Sequence, residues 1–144
     1  MRRVGAFLSA VLVSYVLAAI AATQSALARL PEMGVPVTFA QRISVTAHDL
    51  AGMASSYLPL IAVALLIAFL VTALIGKYLS VSRTALYMLA GGVAVMGIHL
   101  GLEAAFGITA VAATRTVLGL LVQGLAGAVG GYAFARISSK PARF

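Results

Sequence analysis

The stretch YLPLIAVALLIAFLVTALIG, Tyr57 to Gly76, contains no charged residue from end to end. A hydrocarbon core takes about 20 residues of helix to cross, and this run supplies that length almost entirely from leucine, isoleucine, valine and alanine. It is apolar on every side, so it can face lipid over much of its circumference. Pro59 falls in the first turn, where the missing N–H costs nothing. Lys77 and Arg83 flank the short turn KYLSVSR that follows. A bilayer, and not a water-bounded core, is the solvent this stretch fits.

The rest of the chain agrees. Of its 144 residues, 62% are hydrophobic and 9% charged, and the mean hydropathy is +1.10. A soluble domain needs far more polar surface. The length allows four crossings and short loops in one compact membrane domain spanning residues 1–144. The absence of cysteine excludes disulfides, thiolate metal sites and thiol redox chemistry. A net charge of +7 would suggest nucleic acid in a soluble protein. Here most basic residues lie at membrane ends, where topology places them, and no basic patch on an aqueous domain points to nucleic acid.

Three further apolar segments complete the set. The first follows MRR, so that the crossings fall at about residues 4–25, 56–77, 84–106 and 114–137. The first has a competing reading as a secretory signal, with a basic start and an A-x-A-like site at Ala26-Leu27-Ala28. Its apolar run exceeds the roughly 7–15 residues of a signal core, which favours a retained helix. Ser9, Ser14 and Tyr15 form no stripe on it, and the serines can bond back to their own helix. Residues 26–55 form the one sizeable aqueous segment. Pro31, Gly34 and Pro36 break its first part. From Thr38, Phe39, Ile43, Ala47 and Leu50 recur at helical spacing, which predicts a short amphipathic helix lying at the membrane surface or capping the bundle. Ser82 or Thr84 is the expected cap of the third crossing. A turn from Gly107 to Ala113 precedes the fourth, and residues 138–144 form a polar, basic tail.

Orientation follows from the basic residues. With the N-terminus inside, Arg2, Arg3, Lys77, Arg83, Arg136, Lys140 and Arg143 are cytoplasmic, and Arg29, Arg42 and Arg115 are outside. The four apolar runs predict an all-α, four-helix bundle in a bacterial inner membrane, and the bias predicts both termini cytoplasmic with the amphipathic helix on the outer side.

Chemistry concentrates in the third crossing. At 100° per residue, Gly92, Met96, His99 and Glu103 share one face, while Ala90, Ala94, Gly97, Gly101 and Ala105 share the opposite one. Gly97-xxx-Gly101 lets backbones approach, so the helix is expected at the centre of the bundle. With residue 95 at mid-membrane, His99 lies about 6 Å and Glu103 about 12 Å outward. Intramembrane ionisable groups point to function, and histidine titrates near neutral pH. His48 and Asp49, on the same outer side, are candidate contributors to a proton-responsive or metal site. Being adjacent, they lack helix-face ligand spacing, and no metal or cofactor is expected. The structural alternative pairs Glu103 with Arg115 across the turn.

In the fourth crossing, Thr116, Gly119, Gln123, Gly127, Gly130 and Phe134 form a stripe, and Gly127-xxx-Gly131 repeats the small-residue spacing. Glycine costs helix propensity, so close packing is the natural compensation, inside the chain or against another subunit. Gln123 in mid-membrane calls for an interhelical hydrogen bond.

No HExxH motif or Ser/His/Asp arrangement supports catalysis. The expected function is that of a non-catalytic multi-pass protein in the lipid bilayer. It would be an accessory, assembly or regulatory component of a larger membrane complex, or a self-associating bundle. The alternative is a small proton, ion or solute transporter or channel using His99, Glu103 and Gln123. An enzyme built on His48, Asp49, His99 and Glu103 has too few reactive groups.

Overall fold

The computed structural model describes residues 1–107 and 112–139. Its five α-helices are α1 (Arg2–Leu27), α2 (Phe39–Met53), α3 (Tyr57–Ile75), α4 (Arg83–Phe106) and α5 (Val117–Ser138), and no strand occurs among the described residues. Four of them, α1, α3, α4 and α5, are long and apolar enough to cross a membrane. Most of the expected turn after Gly107, and the tail residues Lys140 and Arg143, lie outside the described residues.

Local chemistry sets the helix ends. α2 opens with a capping box in which Thr38 Oγ1 accepts from the Gln41 N–H and Gln41 Oε1 accepts from the Thr38 N–H, satisfying two donors that the first turn leaves unpaired. Ser82 caps α4, accepting from the Ala85 N–H at 3.2 Å. Thr116 caps α5, accepting from the Gly119 N–H at 3.1 Å. α4 stops at Gly107, whose φ of 64° only glycine adopts without strain.

Packing follows rows spaced by four residues. The buried side of α3 is Tyr57, Ile61, Leu65 and Phe69, and that of α4 is Tyr87, Gly91, Val95 and His99. Rows of this spacing are the ridges that interlock when helices cross. The two-faced wheel put the third crossing, α4, at the centre; α4 does pack against both α3 and α5, but the most extensively packed helix is α5, against α1 and α4. The reason lies in which glycines are used. A Cβ on Gly91 would collide with the Gly127 carbonyl, and one on Gly131 with the Tyr87 carbonyl. On the other side of α5, a Cβ on Gly130 would stand 2.8 Å from the Ala10 carbonyl oxygen and would collide with Ser14 Oγ. The expected α5 stripe is therefore divided. Gly127 and Gly131 meet α4, while Gly130 meets α1.

Gly97 and Gly101 stand differently. Both are exposed, and a Cβ on either would have no neighbour within 4 Å. Ala90 and Ala94, earlier on the same face, pack against the core, so the open part of this face is confined to Gly97 and Gly101.

At the end carrying both termini, Phe69 stacks on Phe134 with centroids 4.6 Å apart, and Tyr87 lies 4.8 Å from Phe134. Arg2 Nε donates to the Ile137 carbonyl, and Arg83 donates to the Ala135 carbonyl and Ser138 Oγ. These arginines occupy the carbonyls that the last turn of α5 leaves open.

Thermal unfolding of glycine variants checks this arrangement. Gly91→Ala and Gly131→Ala are each expected to destabilise by about 1–3 kcal/mol, the range for overpacked sites. Gly97→Ala should leave stability unchanged or raise it by up to about 1 kcal/mol through helix propensity. Equal losses at all three positions would contradict the assignment of α5 as the central helix.

Candidate functional site

At the opposite end, beneath α2, the four long helices share one polar junction. α3 contributes Tyr57 from its first turn, α4 contributes His99, α5 contributes Gln123, and α1 contributes the carbonyl of Ala18. Gln123 Nε2 donates to the Ala18 oxygen at 3.0 Å. The Tyr57 hydroxyl donates to Gln123 Oε1 at 3.1 Å, and its oxygen lies 2.9 Å from His99 Nε2. Gln123 is 0% and His99 3% exposed, so both are shielded from bulk water.

The chain of bonds has a direction, and the Ala18 carbonyl sets it. A carbonyl only accepts, so the Gln123 amide nitrogen must face it. The Gln123 oxygen then faces Tyr57 and takes the hydroxyl's one proton. The Tyr57 oxygen is left as an acceptor, so His99 Nε2 carries hydrogen. In a neutral imidazole that leaves Nδ1 as a bare acceptor. His99 Nδ1 is buried with no hydrogen-bond partner among the described residues.

Around the junction, the Tyr15 hydroxyl donates to the Leu50 carbonyl of α2, and the Tyr15 and Tyr57 rings meet edge to face at 6.4 Å. Thr23 Oγ1 donates to Asp49 Oδ2 at 2.7 Å. Gln24 bridges Thr46 and Arg42. These bonds fasten α2 onto α1. Leu50 and Met53 pack against the buried core, but Phe39 and Ile43 remain exposed, so only the second half of the amphipathic face is used internally.

The site residues read from the sequence are thus distributed unevenly. His99 and Gln123 are brought together, through a tyrosine the sequence reading passed over. Glu103 lies outside the junction and is exposed. It follows the row Tyr87, Gly91, Val95, His99, but each four-residue step turns 40°, which carries it off the buried side. No ion pair joins it to the exposed Arg115 among the described residues. His48 is exposed, and Asp49 bonds to Thr23. No three histidine, aspartate or glutamate side chains gather as a metal site among the described residues. Ser14 does not bond back to its own helix. Its Oγ is buried against Gly130 without a hydrogen-bond partner among the described residues.

Tyr57 and Tyr15 were detectable in principle. Tyr57 is the sole hydroxyl-bearing aromatic in an otherwise featureless apolar run, at the start of the row Tyr57, Ile61, Leu65, Phe69. A buried tyrosine hydroxyl nearly always finds a partner. The Ala18 carbonyl carries no sequence signal at all.

The arrangement is chemically that of a satisfied polar knot with one open nitrogen. The chain matches no family model, no curated protein and no solved structure.

A double-mutant cycle tests the knot. Tyr57→Phe leaves Gln123 Oε1 and His99 Nε2 unpaired and is expected to cost about 1–3 kcal/mol. Gln123→Leu should cost a similar amount, and the double variant less than the sum. Strict additivity in thermal unfolding would show that the bonds do not act together.

Proposed function

We propose that this protein is a non-catalytic component of a larger membrane assembly, docking through the exposed Gly97 and Gly101 of α4. Both termini are cytoplasmic in this reading, because seven of the ten basic residues then lie inside. α2 covers the outer end. α1 is a retained helix and not a cleaved signal, since Ala18 holds Gln123 and Ala10 packs on Gly130.

The observation that carries the proposal is the contrast between two classes of glycine. Gly91, Gly127, Gly130 and Gly131 sit where a Cβ would strike a neighbouring backbone or side chain. Gly97 and Gly101 have open space around them, yet each weakens the helix by about 1 kcal/mol relative to alanine. Lipid chains pack as well against leucine as against glycine, so a bilayer gives no compensation. A second transmembrane helix does, because small residues four apart let two backbones close. A regular-spaced, unused pair of this kind fits an intermolecular contact.

A second reading rests on His99 Nδ1. A buried, unpartnered imidazole nitrogen at the end of a hydrogen-bonded chain fits proton handling. In that case the pathway runs through His99, Tyr57 and Gln123, with Glu103 outside it. Reconstituted protein would then show pH-driven proton flux that His99→Gln abolishes, and flux indifferent to that substitution would exclude it.

Native mass spectrometry of the gently solubilised protein from its own membrane tests the primary reading. A complex with another membrane protein or with further copies is expected. Gly97→Leu and Gly101→Leu should dissociate it while leaving the thermal midpoint of the isolated chain unchanged. A lone monomer, or a complex untouched by both leucines, rejects docking through this face.

A further inference from the structure

We infer that a cleft between α1 and α3, at the end carrying the termini, binds one anionic phospholipid, with its phosphate on Arg3 and Arg83 and an acyl chain along α3. Such binding requires only that the chain spans a membrane, and the cleft lies apart from the docking face on α4.

The cleft has a volume of about 540 Å³, within the roughly 300–1,000 Å³ of small-molecule sites. Its walls are Phe7 of α1 and Leu66, Leu70 and Ala73 of α3, and its floor is the aromatic cluster of Phe69, Tyr87 and Phe134. From Leu66 to Ala73 the α3 wall runs about 10 Å along the helix at 1.5 Å per residue. Arg3 and Arg83 line the same cleft and lie at the first turns of α1 and α4. One end of the cleft is therefore cationic and the rest apolar, the polarity of a phospholipid.

Charge complementarity identifies the headgroup. The chain has three acidic residues, and all of them lie away from this end. Glu32 follows α1, Asp49 is in α2, and Glu103 is in the last turn of α4. Among the described residues no carboxylate side chain stands there to neutralise the arginines. Arg83 is held in place by its bonds to the Ala135 carbonyl at 2.8 Å and Ser138 Oγ at 2.6 Å, with its guanidinium 4.9 Å from the Tyr87 ring centre. Those two bonds leave other N–H donors of its five. Arg3 has no hydrogen bond or ion pair among the described residues. A phosphodiester carrying net negative charge satisfies both arginines, whereas a zwitterionic headgroup brings its own cation to the same place.

The test uses native mass spectrometry of the full chain, titrated separately with dioleoyl-phosphatidylglycerol and dioleoyl-phosphatidylcholine. Identical chains isolate the headgroup. One phosphatidylglycerol is expected to bind with several-fold preference. Arg3→Gln should weaken it roughly fivefold, the strength of one basic side chain at an anionic surface, and leave phosphatidylcholine unchanged. Arg83 also secures the end of α5, so the second variant is Ala73→Phe, which fills the cleft at an exposed position and should weaken both lipids. Arg136→Gln removes the same charge from the same end but outside the cleft, and should change nothing. Equal binding of the two lipids by the unaltered protein would overturn the proposal. So would a loss in Arg136→Gln as large as that in Arg3→Gln, because the attraction would then be diffuse.

Discussion

Backbone contact between α4 and α5 is the constraint on which the remaining structure depends. Gly91 faces Gly127, and Gly131 faces the Tyr87 carbonyl, at separations that exclude any Cβ. In a bilayer no hydrophobic force draws helices together, so association rests on close packing and on hydrogen bonds. Glycine provides the first by removing the atoms that would hold the helices apart. The same helix meets α1 at Gly130, one residue away and 100° around the axis. α5 therefore becomes the central element because it presents small residues in two directions.

The polar junction is the second consequence. With α1, α4 and α5 drawn close, Gln123 is sealed from water and must find partners within the protein. An unpaired amide in hydrocarbon costs several kcal/mol, and the Ala18 carbonyl and Tyr57 hydroxyl remove that penalty. Tyr57 in turn ties α3 into the junction. All four long helices are thus joined at one level by bonds whose donors and acceptors follow from a single backbone carbonyl. His99 closes the chain, and its second nitrogen is the one polar atom of the knot with no partner among the described residues.

The two ends of the molecule differ in chemistry. Beneath α2, polar bonds dominate, and the acidic residues lie towards this side. At the termini, aromatic rings fill the interior and arginines tie down the last carbonyls of α5. This division separates the proposed roles in space. The exposed glycines of α4 and the histidine lie towards the α2 end, and the arginine-lined cleft lies at the other.

From sequence alone, the long apolar runs determine that four helices can cross a membrane, because crossing depends on length and transfer energy summed over about 20 residues. Capping is equally local, and Ser82 is one of the two caps expected for its helix. That Gln123 needs a buried partner is also legible, since the penalty belongs to the residue. Which glycines pack is different. Gly97-xxx-Gly101 and Gly127-xxx-Gly131 are the same pattern, and only the arrangement of neighbours leaves the first open and closes the second. Glu103 shows the same limit, because a helical wheel places it beside His99 but does not say how far around the axis the buried side extends. The identity of Gln123's partners, a tyrosine 66 residues away and a backbone carbonyl 105 residues away, was decided by tertiary structure, because a hydrogen bond depends on positions that many separate packing contacts set together.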